Sequence, residues 1–478
     1  MKTGEQYIQS LRELKPPVYF MGEKIENRVD HPAIRPHINA AAETYDLAHD
    51  PQFAELVSAR SHLTGERINR FTHIHQSAED LVTKVKMLRA LSQRTGSCYQ
   101  RCVGFDALNA IYATSYEIDQ KHGTGYHGRF VDFLKYVQSN DLMSCGAMTD
   151  TKGDRSLSPG QQPDPDQYLH IVERRKNGIV VRGAKTHQTG AVNSHEIIAM
   201  PTTALGPGEE DYAVSFAVPA DTPGLVYVFG RQTNDSRKME SDMDVGNPRY
   251  GAVGGEALVV FDDVFVPQER VFMCGEHEFA YPLVEKFAAL HRQNYGGCKG
   301  GVADVIIGAA ATLTEYQGVS RAAHVRDKLT EMVHLAETLY CCSIACSSEG
   351  SPTPSGSWGV DTTLANISKH NVTRFIYEIA RLAHDLAGGF MATMPSEREL
   401  RHPEVGGYVQ KYLQAAAGAP AEHRMRMGRL IESLTTGIAL VESMHGAGSP
   451  QAQRVMILRQ ADLESKKKLA LRLAGIDA

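Results

Sequence analysis

The spacing of apolar residues changes period twice along the chain. From Ser77, the runs Ala78-Glu79-Asp80-Leu81-Val82 and Lys86-Met87-Leu88-Arg89-Ala90-Leu91 repeat at helical spacing. Ser77 stands as an N-cap with acids in the first turn. Leu108, Ile111, Tyr112 and Tyr116 continue the stripe, so residues 1 to about 140 read mostly as helix. The middle of the chain alternates instead. Ile179-Val180-Val181-Arg182 follows Lys176-Asn177-Gly178, a hairpin signal. Tyr212 to Val218, Leu225 to Phe229 and Leu258 to Phe261 are further short alternating runs. After Pro282 the helical period returns, near 281–318, 322–349, 361–392 and 423–444, with loops at Glu349 to Gly356 and over 395–420. The pattern predicts an α+β chain of three domains: an N-terminal helical domain (1–140), a middle antiparallel β domain (141–277) and a C-terminal helical bundle (278–478).

Composition narrows the class. With 478 residues, 42% hydrophobic and 22% charged, the chain is expected to fold as an ordinary globular protein. A net charge of −6 argues against a nucleic-acid surface. Lys466-Lys467-Lys468 reads as a solvated helix face. Met1 to Gln6 leads into mixed charges instead of an apolar signal core. The best apolar stretch, Val302 to Leu313, contains Asp304 and is too short to span a bilayer. A soluble, cytoplasmic protein with no membrane partner is expected. Eight cysteines in a chain this long read as reduced thiols, available to a metal.

Four of the candidate ligands stand in two polar segments. Cys98 and Cys102 lie in Ser-Cys-Tyr-Gln-Arg-Cys, where a C-x3-C spacing on a helix puts both sulfurs on one face. His291 and Cys298 are separated by a Gly296-Gly297 break that lets the backbone turn both side chains to one point. Three thiolates and an imidazole suit zinc or an iron–sulfur cluster. Cys342 and Cys346 share the one-turn spacing but lie in an apolar helix and read as core; Cys145 and Cys274 read as structural. Other segments are unusually polar. Gly146 to Arg155 offers Thr149, Asp150, Lys152, Gly153, Asp154 and Arg155 to a polar ring or phosphate, or forms a surface turn. His187-Gln188-Thr189 follows a strand, and Glu442 to Pro450 either approaches a ligand through its glycines or caps a helix.

Taken together these segments resemble the 4-hydroxybutyryl-CoA dehydratases, flavin and [4Fe-4S] enzymes related to the 4-hydroxyphenylacetate monooxygenases. The likeness runs over Gly22 to Asn27, Cys98 to Cys102, Thr149 to Arg155, His187 to Gly190, His291 to Lys299 and Glu442 to Pro450. Helices, strands, then a bundle is also the element order of the acyl-CoA dehydrogenases, so an acyl-CoA dehydrogenase-like fold is expected. The resemblance implies Cys98, Cys102 and Cys298 as cluster ligands, with His291 on the fourth iron. It implies FAD lined by Thr149, Asp150, Lys152, Gly153, Asp154, Arg155, His187, Gln188 and Thr189, completed by Ser443, His445, Gly446, Ala447, Gly448 and Ser449. His291, Tyr295, Glu442, Glu256, Lys299, Thr189 and Gln100 match positions taken as catalytic or substrate-contacting. Asp385-Leu386-Ala387-Gly388-Gly389 resembles a segment that reaches a neighbouring subunit's flavin, with Asp385 in place of the usual Gln. The implied reaction is radical dehydration of 4-hydroxybutyryl-CoA to crotonyl-CoA, with vinylacetyl-CoA isomerisation as a second activity, by a homotetramer. Flavin oxidation of the enolate makes the C3 proton acidic, and cluster iron serves as Lewis acid for the 4-hydroxyl. Two other readings stay open: a reduced-flavin aromatic monooxygenase, and a protein with a structural Cys3His zinc.

Overall fold

The computed structural model describes residues 1–476 apart from 234 and 415, so the final two residues of the expected third domain, 477 and 478, lie outside the described residues. The chain opens with α1 (Gly4–Glu13), whose Thr3–Gln6 capping box fixes its start. Two short strands follow, β1 (Val18–Phe20) and β2 (Glu23–Ile25), and then α2 (Arg35–Asp46). Helix α3 (Ala78–Thr95) is capped by the Ser77 side chain and stops at Gly96, which is left-handed. Helices α4 (Cys102–His122) and α5 (Tyr126–Ser139) close the N-terminal third.

Strands β3 (Ser144–Ala147), β4 (His170–Arg175), β5 (Gly178–Thr189), β6 (Glu196–Ala199), β7 (Val214–Pro219), β8 (Leu225–Phe229), β9 (Glu256–Pro267) and β10 (Val271–Cys274) build two sheets. The six-stranded sheet has the order β2-β1-β8-β9-β5-β4, and the four-stranded sheet β10-β7-β6-β3. The hairpin expected at Lys176-Asn177 joins β4 to β5. A helical array follows: α6 (Ala280–Tyr316), α7 (Ala323–Ser348), α8 (Thr362–Ala387), α9 (Ala421–Leu434), α10 (Gly437–His445), α11 (Pro450–Gln460) and α12 (Leu463–Leu473). The single helix expected over 423–444 is two, divided at Thr435-Thr436, where a β-branched pair meets Gly437.

The expected fold class needs correction. The α+β character and the helical C-terminal region hold, but the layers do not follow the sequence order. β1 comes from the N-terminal segment and pairs parallel with β8, Val18 opposite Tyr227. β3 pairs parallel with β6, so the middle sheets are mixed, not antiparallel. Alternation reveals a strand and its buried face, but not its neighbour or direction. One core unites Tyr7 of α1, Phe20 of β1, Ile38 of α2 and Phe130 of α5 with Phe216, Phe261 and Phe287. A second core lies among α6, α7, α8 and α9 and includes Ala303, Leu339, Ile376 and Ile431. Among the described residues no helix is long and apolar enough to cross a membrane.

Candidate active site

Helix α6 is the spine of the site. It is continuous for 37 residues and carries His291, Tyr295, Cys298 and Lys299 at spacings that share one face. The glycine break expected at Gly296-Gly297 is therefore absent. Those glycines serve helix packing instead: a Cβ on Gly297 would stand 2.7 Å from the Val85 carbonyl oxygen of α3, and one on Gly296 2.2 Å from the Leu339 carbonyl oxygen of α7. α6 thus lies close against both neighbours.

The facing segment, Ser97 to Arg101, links α3 to α4. Cys98 lies in this irregular link and Cys102 is the first residue of α4, so the pair does not share a helix face as expected. The link is held by Gln100, which adopts a left-handed φ of 64°. Its amide donates to the carbonyls of His37 (3.0 Å) and Cys98 (3.2 Å), and its carbonyl accepts from Asn193 (2.9 Å). Gln100 is thus committed to holding the Cys98 backbone.

Cys98, Cys102 and Cys298 are near enough to influence one another's ionisation. Burial raises all three thiols, with neighbouring negative charge adding to it and, at Cys298, the Lys299 ammonium opposing it; Cys298 is pushed up to about 12. A bare thiol here keeps its proton, and a cationic metal centre is what would stabilise the thiolates. His291 is oriented from behind: Nδ1 lies 2.8 Å from Asp106 Oδ2. That carboxylate also accepts from Lys84 (2.6 Å) and Asn294 (2.6 Å). Burial opposes ionisation of Asp106, but the Lys84 ammonium and the His291 hydrogen bond together overcome it and hold the carboxyl below its usual range. An anionic Asp106 assigns the proton to Nδ1 and leaves Nε2 free to act as ligand or base. The donor chemistry therefore fits a metal centre. Among the described residues, however, no three His, Cys, Asp or Glu side chains stand at the geometry of a bound metal ion.

One turn further along α6, the Tyr295 hydroxyl donates to Glu442 Oε1 at 3.0 Å, and the Lys299 ammonium pairs with Glu442 Oε2. Burial would raise the Glu442 carboxyl, but Lys299 holds it below its usual range. Burial and the Glu442 charge raise the Tyr295 phenol well above its usual value. Gly446 is required here, since a Cβ would lie 1.8 Å from the Tyr295 hydroxyl. Glu256 begins β9 opposite Thr189 of β5, whose hydroxyl lies 3.4 Å from its carboxylate. Burial, then the Glu442 charge, pushes Glu256 up to about 8.

The polar loops also meet. Thr186 N–H and the Gln188 amide both donate to the Thr149 carbonyl, at 2.8 and 3.3 Å. Lys152, Gly153 and His187 have left-handed backbones, and Lys152 to Arg155 lie at or near the surface. Burial, then the Lys152 charge and then His445 lower the affinity of His187 for a proton, so the 443–449 turn approaches this edge. Ala447 and Gly448 in that turn are left-handed, and Ser449 caps α11. Two expected contacts turn inward. Asp150 pairs with buried Lys185 at 2.8 Å and accepts from Thr202 and the Leu169 N–H; the Ser443 hydroxyl donates to the Ala439 carbonyl of its own helix. Asp385 pairs with Lys328 at 2.7 Å. Two cavities of about 310 Å³ lie elsewhere, one beside Arg35 and Asp46, one beside Arg129 and Arg174.

Three side chains of the site, Lys84, Asp106 and Lys369, are not among those expected from the sequence. Lys369 of α8 sits 4.2 Å over the Tyr295 ring, and burial lowers its ammonium to about 7. A signal for the two lysines is nonetheless present: Lys84 interrupts the stripe Leu81, Leu88, Leu91, and Lys369 the stripe Ala365, Val372, Ile376.

The state of Glu256 gives a pH signature. Between the ordinary 4.5 and about 8 the unfolded chain has lost this proton and the folded chain keeps it, so stability falls as pH rises through that window. Glu256→Gln removes this contribution to the decline. Thermal midpoints of wild type and variant are expected to lie close near pH 5, with the variant gaining on wild type up to pH 9. Constant separation across that range contradicts a neutral Glu256.

Profiles described as the N-terminal and C-terminal parts of 4-hydroxyphenylacetate 3-hydroxylase match residues 3–273 and 280–475. Over 490 aligned positions the chain is 57% identical to 4-hydroxybutyryl-CoA dehydratase/vinylacetyl-CoA-Delta-isomerase of Clostridium aminobutyricum, covering 100% of each. The structure of an oxygen-tolerant archaeal 4-hydroxybutyryl-CoA dehydratase from N. maritimus superposes with a TM-score of 0.98 at 52% identity, covering 100% of this chain and 95% of that one. The FAD-complexed oxygenase component of 4-hydroxyphenylacetate 3-monooxygenase superposes at 0.86 and 25% identity, covering 99% and 98%. An acyl-CoA dehydrogenase from Slackia heliotrinireducens reaches only 0.52 at 14% identity over 92% and 98%. The acyl-CoA dehydrogenase-like expectation is thus corrected to a distant likeness, because shared element order does not require shared strand pairing. The chain belongs to the 4-hydroxyphenylacetate 3-hydroxylase family and, within it, to the group of the 4-hydroxybutyryl-CoA dehydratases/vinylacetyl-CoA-Delta-isomerases.

Proposed function

We propose that this protein dehydrates 4-hydroxybutyryl-CoA to crotonyl-CoA and isomerises vinylacetyl-CoA, using FAD and a [4Fe-4S] cluster. One observation carries the reading: an imidazole fixed by a buried carboxylate that also neighbours the Cys102 thiol of the three-thiol group, one helical turn from the Tyr295–Glu442–Lys299 set. The full-length identity to the clostridial dehydratase supports the substrate, and the FAD-complexed relative supports the flavin. Cys98, Cys102, Cys298 and His291 Nε2 would hold the cluster. Residues 149–155 and 187–189 and the turn 443–449 would hold the flavin. When bound, these groups supply reversible one-electron transfer and a Lewis-acidic iron.

The chain's own residues handle protons. One hydrogen leaves C2 and one C3, the hydroxyl leaves C4, and one proton returns to C4; the sum is loss of water. The thioester acidifies C2 but not C3. His291 Nε2 is available to take or return a proton because Asp106 occupies Nδ1. Glu442 and Tyr295 form a second proton site, with Lys299 keeping the carboxylate charged, and Glu256 is a carboxyl that can donate near neutral pH. Isomerisation moves one proton from C2 to C4 and expels no hydroxyl.

Anaerobic purification with metal, sulfide and flavin analysis tests the reading, together with assays on both thioesters. About four irons and four sulfides per chain are expected, with FAD and both activities, in a particle of tetramer mass by light scattering. Zinc without sulfide overturns the cluster. Hydroxylation of a phenol with reduced flavin, and no turnover of either thioester, overturns the reaction.

A further inference from the structure

Helix α10 has only nine residues, too few to hold its own direction, yet it carries Glu442. Its C-terminal carbonyls are all accounted for. Glu442 O accepts from Gly446 N–H at 2.8 Å and His445 O from Gly448 N–H at 3.0 Å. The two carbonyls between them, Ser443 O and Met444 O, accept from the Lys369 ammonium at 2.5 and 3.5 Å. Just beyond the helix, Ala447 O accepts from Arg292 Nε at 3.0 Å. Arg292 also donates to Asn366 at 2.7 Å, which ties it to α8. Among the described residues neither cation forms an ion pair with a carboxylate. A buried cation without a carboxylate persists where hydrogen-bond acceptors replace water, and helix C-terminal carbonyls also carry the negative end of the helix dipole. Lys369 does more than cap: it lies over the face of Tyr295, whose hydroxyl donates to Glu442.

We propose that Lys369 and Arg292 are positioning residues: from α8 and α6 they grip the carbonyls at the end of α10, and so hold the Glu442 carboxylate on Tyr295 and the 443–449 turn at the flavin edge. Their catalytic significance rests on the reading of Glu442 and of that turn given above. The grip itself does not, and the test separates the two.

The full-length chain is compared with Lys369→Met and Arg292→Gln, with FAD as the probe. Amide hydrogen exchange over 437–449 is expected to rise about tenfold or more in Lys369→Met, while 280–316 and 362–387 keep wild-type protection. In Arg292→Gln the rise is confined to 446–449. FAD affinity by fluorescence titration falls about tenfold, and kcat for vinylacetyl-CoA isomerisation falls about 30-fold with KM changed less than about threefold. Wild-type protection of 437–449 in both variants overturns the proposal, as does a uniform rise over the whole chain, the mark of a general stability role. If Lys369→Met does not fold, Arg292→Gln decides by the same exchange criterion. If the segment loosens while wild-type protein turns over neither thioester, the functional reading has failed and the grip stands.

Discussion

Cys98→Ala, Cys102→Ala and Cys298→Ala are each expected to lose iron and abolish dehydration, while His291→Ala keeps much of its iron and still loses turnover by about 10²-fold or more. The asymmetry follows from the surroundings of the four side chains. Each thiol sits where burial disfavours charge, so thiolates and a bound metal centre would depend on one another. Removing one sulfur leaves two thiols that keep their protons. Removing the imidazole leaves three sulfurs, but takes away the Nε2 that Asp106 and Lys84 hold in place. The buried Asp106 would then have lost one of its three side-chain donors. Iron and sulfide content measured beside turnover on one preparation checks both halves. Full activity in His291→Ala removes this residue from the chemistry, and full iron content in any of the cysteine variants removes that sulfur from the ligand set.

Glu442→Gln is expected to slow both activities by about 10²-fold or more while FAD and iron are retained. The carboxylate is the meeting point of Tyr295 and Lys299, and its amide can accept from the phenol but cannot balance the ammonium. Lys299 is mostly buried and its proton is held by Glu442 against the effect of burial. Breaking this pair from one side also costs stability, of order 3 kcal/mol, because the other charge is left desolvated. Adding Lys299→Met should recover part of that loss, so the double variant is less destabilised than the sum of the singles. Denaturant unfolding of the four proteins measures the coupling. Strict additivity means that the pair is not a unit, and loss of cofactor in parallel with activity means that Glu442 is structural.

Much of this site is legible in the amino-acid sequence, and what is not has physical causes. The quartet Cys98, Cys102, His291 and Cys298 and the polar loops stand out because each breaks an apolar pattern locally, and local breaks are visible along a linear chain. The geometry expected of the quartet fails in two places. The C-x3-C spacing implies one helix face, but left-handed Gln100 stands between the cysteines and only Cys102 is helical. The glycine pair implies a break, yet in α6 it is what close helix crossings require. Asp106 does not stand out, and Lys84 and Lys369 show only as single interruptions of an apolar stripe, because a buried charge looks like any helix-surface charge until its partner is known. Those partners lie far away in sequence. Strand pairing is hidden for the same reason: β1 has no local feature that names β8.

That pairing has a consequence for how the protein is made. The strand that β1 joins is translated about 200 residues later, roughly 10–40 s at ribosomal speeds of about 5–20 residues per second. Throughout that interval Val18 and Phe20 lack the sheet that finally buries them, and the core they share with α1 and α2 stays incomplete. A nascent chain stalled before residue 225 exposes this unfinished surface, which is the kind of segment that holdase chaperones bind. The N-terminal third therefore completes its burial after translation has passed β8.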